Sequence, residues 1–127
     1  MNIPAQSIQQ IRLNPGRVNN IFKSNTAALP TTWTTIFTGR QVPCVITTLD
    51  FIATATAAIT VQVRLLSPGS TGIELGQAGM TTDGDQIHFL DDGDEWVIDK
   101  GWGLQIQEST GATVHYVLMG YEYGDPT

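Results

Sequence analysis

Between residues 83 and 95 the chain sets out Asp83, Asp85, Asp91, Asp92, Asp94 and Glu95. Clustered carboxylates are the hard oxygen donors that a calcium ion takes from a flexible loop. The spacing is not that of an EF-hand, because no Asp or Glu stands at the required offset after the glycine. Asp-Gly pairs are also what tight turns need. The cluster reads first as solvated turn acids. A calcium site and an acidic docking surface for a basic arm, such as residues 12–23 of a neighbouring subunit, are the alternatives. A carboxylate pair can hydrolyse a glycosidic bond when its acid member sits in an apolar pocket. These acids crowd into turns with no such pocket expected, so glycosidase chemistry is not assigned.

The other groups that could do chemistry are sparse. His88 and His115 each fall on the less apolar face of a strand pattern and have no third ligand to complete a metal site. Cys44 sits inside a strand pattern, reads as a buried free thiol, and carries no flanking nucleophile motif. Trp33, Trp96, Trp102, Tyr116, Tyr121 and Tyr123 would stack on sugars if they lined one open face, but at period-two positions they read mainly as core. The glycines around Trp102 and Tyr121 lack phosphate-loop spacing. No catalytic residue, metal or cofactor is therefore expected.

The elements that must position these groups are strands. Residues 59–65 alternate Ile59, Val61, Val63 and Leu65 against Thr60, Gln62 and Arg64, the period of a half-buried strand. Residues 42–53 form a second β-branched run, with Cys44, Ile46 and Ile52 on one face and Val45, Leu49, Phe51 and Ala53 on the other. Small residues 54–58 join them as a hairpin loop or a crossover between sheets. A first strand is expected over residues 31–39 with Trp33 and Phe37 or Ile36 inward, and a short one over 73–75. A loop follows over 76–84 that carries Met80. Further strands are read at 86–90, 95–98, 102–108 and 113–123, separated by Gly- and Asp-rich turns. The last is apolar on both faces at residues 117–119, so it is central or covered by another subunit. About eight antiparallel strands with no intervening helical pattern predict an all-β sandwich, jelly-roll-like in plan.

Length and charge agree with that plan. The 127 residues suit one domain, and only 14% of them are charged. There is no apolar run long enough to span a membrane and no signal-peptide pattern, and one cysteine suits a reducing cytosol. Residues 1–49 hold Arg12, Arg17, Lys23 and Arg40 and no acid, whereas all twelve acids lie beyond. An acidic body is a poor match for nucleic acid. Residues 1–28 read as an extended arm, and 29–127 as the sandwich body. In the arm Ile3, Ile8, Ile11, Arg12, Leu13, Arg17, Val18, Ile21, Phe22 and Lys23 are the expected partner-binding residues. A short helix over 5–13 is possible before Pro15-Gly16.

The body runs from TWTTIFTG through CVITTLDFIATATAAITVQVRLL and DEWVIDKGWGLQIQES to GATVHYVLMGYEYG. This order resembles the small β-sandwich virion proteins of tailed bacteriophages, over roughly residues 31–124. The late strand at residues 101–106 and the closing Gly120 to Glu122 carry the likeness; Asp99-Lys100-Gly101 replaces the usual proline-glycine turn. The resemblance implies a non-enzymatic capsid decoration or cement protein on the virion surface, made in the host cytoplasm. Its partners would be a major capsid or other virion protein and itself, as a homotrimer, with no nucleic acid or membrane. The alternative it implies is a fibre, tail-associated or carbohydrate-binding module for host-surface recognition.

Overall fold

A computed structural model of the chain describes residues 18–25, 29–91, 93–111 and 113–123. The described residues hold no helix, and none long and apolar enough to cross a membrane. They form nine strands: β1 (Val18–Ser24), β2 (Thr34–Thr38), β3 (Cys44–Ala53), β4 (Ile59–Leu66), β5 (Gly72–Met80), β6 (Gln86–His88), β7 (Trp96–Ile98), β8 (Gly103–Glu108) and β9 (Val114–Tyr123). Sheet A runs β1-β9-β3-β6, with β7 also on β3, and sheet B runs β2-β8-β4-β5. Every pairing is antiparallel.

Strands β6 and β7 share one edge of β3. One pairs with its Phe51 end and the other with its Cys44 end, so they are two pieces of a single edge strand interrupted between His88 and Trp96. Counted as one, they complete a nested set of pairs, β1 with β9, β2 with β8, β3 with the broken strand and β4 with β5. That nesting, split over two sheets, is a jelly roll. Residues 54–58 are therefore a crossover and not a hairpin: β3 is central in sheet A, β4 is central in sheet B, and they face each other across the core.

The facing of β3 differs from the strict alternation read from sequence. Cys44 and Ile46 point inward as expected, but so do Leu49, Phe51 and Ala53. The register against β9 shifts between Ile46 and Thr48, so Thr47 is a bulge that inserts one residue and inverts the parity of everything after it. The core between the sheets is then Ile46, Leu49, Phe51, Ile98, Val114 and Leu118 from sheet A against Ile59, Val61, Val63, Leu104 and Ile106 from sheet B. Each such side chain stabilises the fold by about 1.5–3 kcal/mol through burial alone. Phe89 closes one side, edge-on to Phe51 with ring centroids 5.4 Å apart. A bulge between Thr35 and Phe37 likewise turns both Ile36 and Phe37 inward.

Three expectations are corrected. First, residues 18–24 do not belong to an arm. They pair with β9 along their whole length, and Ile21, only 5% exposed, is part of the core and not a partner contact. The sandwich thus includes residues 18–24, which supply backbone partners to the second edge of β9. Ile3, Ile8, Ile11, Arg12, Leu13, Arg17 and the possible helix over 5–13 lie outside the described residues. Second, the expected short strand and loop over 73–84 is mostly the nine-residue strand β5, which ends in buried Met80. Its glycines hid a strand whose pairing comes from β4. Third, Trp33 does not point inward. The Arg64 guanidinium lies over its ring, 4.3 Å from the centroid, on the outer side of sheet B.

Candidate functional site

The outer face of sheet A carries the feature a small sandwich least needs for folding. By register Phe22 on β1 stands beside Met119 on β9, and Met119 beside Thr48 on β3. One row on, Asn20, Tyr121, Val45 and Val97 line up across β1, β9, β3 and β7. Phe22 is 64% exposed and Met119 40%, and Tyr123 and Val97 are also exposed. Tyr121 and Tyr123 meet edge to face at 5.7 Å. Phe22, Met119, Tyr123 and Val97 are four of the five large apolar side chains left open among the described residues, the fifth being Ile73 on β5. Single exposed apolar residues are ordinary; a belt of them on one sheet face marks an interaction surface.

The belt ends in an acidic cleft. Where the edge strand breaks there is an open cleft of about 600 Å3, lined by Thr47, Thr48, Asp50, His88, Leu90, Asp91, Gly93, Asp94 and Glu95. Belt and cleft are joined directly, since the Tyr121 hydroxyl donates to Glu95 Oε2 at 3.3 Å. The His88 Nδ1 and Asp50 Oδ1 atoms are 2.8 Å apart across paired positions of β6 and β3. The hydrogen bond to Asp50, reinforced by its charge, raises the His88 pKa above its usual 6.5.

The acidic cluster read from sequence therefore divides. Asp91, Asp94 and Glu95 gather at the cleft and are joined there by Asp50 of β3. Asp92 lies outside the described residues. Asp83 and Asp85 belong to the β5–β6 turn, which bonds to the far end of β3 through Ala53. There Asp85 Oδ2 accepts the backbone N–H groups of Thr81 at 3.0 Å and Thr82 at 2.9 Å, which lowers its pKa below the usual carboxylate range. That is turn chemistry. Among the described residues no three His, Cys, Asp or Glu side chains are grouped to hold a metal ion.

The remaining candidates are placed as follows. Cys44 is 0% exposed on the inner face of β3, with its Sγ 3.3 Å from the Val42 carbonyl. His115 is exposed on the outer side of β9, paired with Ile52 and remote from Cys44. Tyr116 is buried, and burial raises its pKa. Trp96 and Trp102 pack against the core. Arg40 pairs with Glu122 at 2.6 Å at the Cys44 end of the sheet. The outer face of sheet B is a polar lattice. Arg64 Nε donates to Gln105 Oε1 at 2.8 Å, Gln105 Nε2 to Thr35 at 2.9 Å, and Gln107 Nε2 to Gln62 Oε1 at 2.6 Å. This lattice explains why Gln105 is buried and satisfied.

Fold and surface together define an antiparallel jelly-roll β-sandwich with one apolar face that folding alone does not cover. No protein-family model and no curated protein matches the chain. Among solved structures it is similar to a protein from work describing how Bacillus endospore appendages form a novel family of disulfide-linked pili. The match has a TM-score of 0.51 and 13% identity, and covers 85% of this chain and 88% of that one. At that identity the likeness speaks for the fold alone.

Proposed function

We propose that this protein is a non-enzymatic structural subunit that takes its place in a larger protein assembly through the outer face of sheet A. The observation that carries the reading is the belt of Phe22, Met119, Tyr121 and Tyr123 ending at the Asp50, Asp94 and Glu95 cleft. A water-exposed belt of this kind costs solubility unless a partner covers it. In its particular form the proposal is a decoration or cement protein on a bacteriophage head, held by the belt and by residues N-terminal to β1. The structural neighbour comes from work on spore-appendage pili, a protein assembly, and so is in keeping with this general class. This chain cannot copy a disulfide-linked assembly through Cys44, because that thiol is buried in the core.

Immunogold labelling of particles released by the producing cells tests the proposal. Regular label on head surfaces is the expected result, and label confined to the soluble cell fraction would refute a structural role. Label on fibres or tails alone would favour the second reading, a host-surface recognition module. For that reading the supporting observation is the Trp33, Arg64 and glutamine lattice on sheet B, which offers an aromatic ring and paired amides to a polyhydroxylated ligand.

A further inference from the structure

We infer that the belt and cleft of sheet A are the receptor for residues 1–17 of a second copy of this chain. This inference rests on the structural reading above and names the partner at its face. The receptor has two parts in fixed order: open apolar side chains on β1 and β9, then carboxylates at the break in the edge strand. Residues 1–17 have the matching composition. They carry Ile3, Ile8, Ile11 and Leu13, with Arg12 and Arg17 and no acidic residue. Apolar anchors flanked by charges of one sign suit a surface that is apolar at its centre and oppositely charged at its rim.

Length and attachment point favour a second copy over the chain's own face. Extended, 17 residues reach up to about 56 Å, enough to leave one sandwich and cross another. The segment joins β1, and β1 is separated from the cleft by β9 and β3, about three strand spacings or roughly 14 Å. Arg17 directly precedes Val18, a tether too short to span that distance, so only Arg12 has the reach to its own cleft. On a neighbour both arginines can engage. Pro15-Gly16, just before the strand in sequence, is a turn-forming pair of the kind such an exchange needs.

The test uses the full chain in two double variants. Ile8→Asp with Ile11→Asp spoils the segment, and Phe22→Asp with Met119→Asp spoils the face at exposed positions that do not support the core. Circular dichroism checks that both stay folded. Light scattering over a concentration series should show association of the parent chain and monomers for each variant alone. Mixing the two variants should restore a one-to-one complex, because one brings an intact segment and the other an intact face. A synthetic peptide of residues 1–17 should bind the segment variant. Asp94→Asn with Glu95→Gln in that receptor should weaken the peptide by about tenfold, with a further loss on adding salt.

A monomeric parent chain, an unchanged mass in either variant, or peptide binding without restoration on mixing would overturn the inference; the last would mean that the segment covers its own face. If the parent chain is monomeric yet still labels particles, only this inference falls and the structural role stands.

Discussion

At the scale of single residues, two glycines are set by backbone contact and not by turn geometry. A Cβ on Gly120 would lie 2.0 Å from the Val45 carbonyl oxygen, and one on Gly39 2.0 Å from that of Asp99. Neither neighbour is a side chain that can swing away. Gly120→Ala should therefore cost about 3 kcal/mol, read as a lowered urea midpoint with unchanged slope. Gly84 is the contrast. Its φ is +92° with open space around it, so Gly84→Ala should cost only about 1–2 kcal/mol. The two titrating groups at the ends of β6 act in opposite directions. His88 has its pKa raised by Asp50, so the stability it contributes is complete below its usual 6.5 and is lost as pH rises through the raised value. Asp85 has its pKa lowered by two backbone donors, so its contribution is present above the usual carboxylate pKa and is lost as pH falls through the depressed value. Proton NMR should find the His88 titration displaced upward in the parent chain and returned toward its ordinary position in Asp50→Asn. An unmoved titration would break the proposed pairing.

At the scale of elements, the bulge at Thr47 is the decisive local device. Before it Cys44 and Ile46 are inside; after it Leu49, Phe51 and Ala53 are inside. Deleting Thr47 would remove the extra residue and leave Cys44, Ile46, Leu49, Phe51 and Ala53 in strict alternation on the inner face. The expected outcome is a cooperative unfolding transition with the core retained, whereas Phe51→Ala in the intact strand should cost about 3–5 kcal/mol. The same strand shows what pattern reading misses. A bulge has no residue-type signature in TTLDF, so the inversion appears only when β9 is laid alongside. Strand β5 was obscured by its glycines and β1 by Asn and Lys, and both exist because a neighbour offers a ladder. At β8 the inward end residue Glu108 accepts the Thr113 N–H at 3.1 Å and closes the turn to β9, a role its place at the end of an alternating run did not announce.

At the scale of the whole molecule, Cys44 separates this jelly roll from any scheme of disulfide-linked copies. A thiol with 0% exposure should resist a bulky thiol reagent in native buffer and react fully in denaturant, and reducing agent should leave assembly unchanged. Rapid native labelling would show that the inner face of β3 opens. The charge division also becomes spatial here. The acids that the sequence lists as one cluster are two groups, one at the Ala53 end of β3 and one beside its middle, and only the second, at the edge-strand break, adjoins the apolar belt.

The sequence by itself determined the class of the fold, since alternation, β-branched runs and turn residues are local properties that hold whatever the strands meet. It also determined the buried character of Cys44, and it showed a last strand apolar on both faces at residues 117–119, which the sheet places between β1 and β3. Tertiary structure alone decided which strands are neighbours, where the edge strand breaks, and that Ile21 belongs to the core while Phe22 belongs to the surface. Those outcomes depend on pairing between residues as distant in sequence as Phe22 and Met119. A candidate surface is made of just such pairs, so its members were visible one at a time, and their union was not.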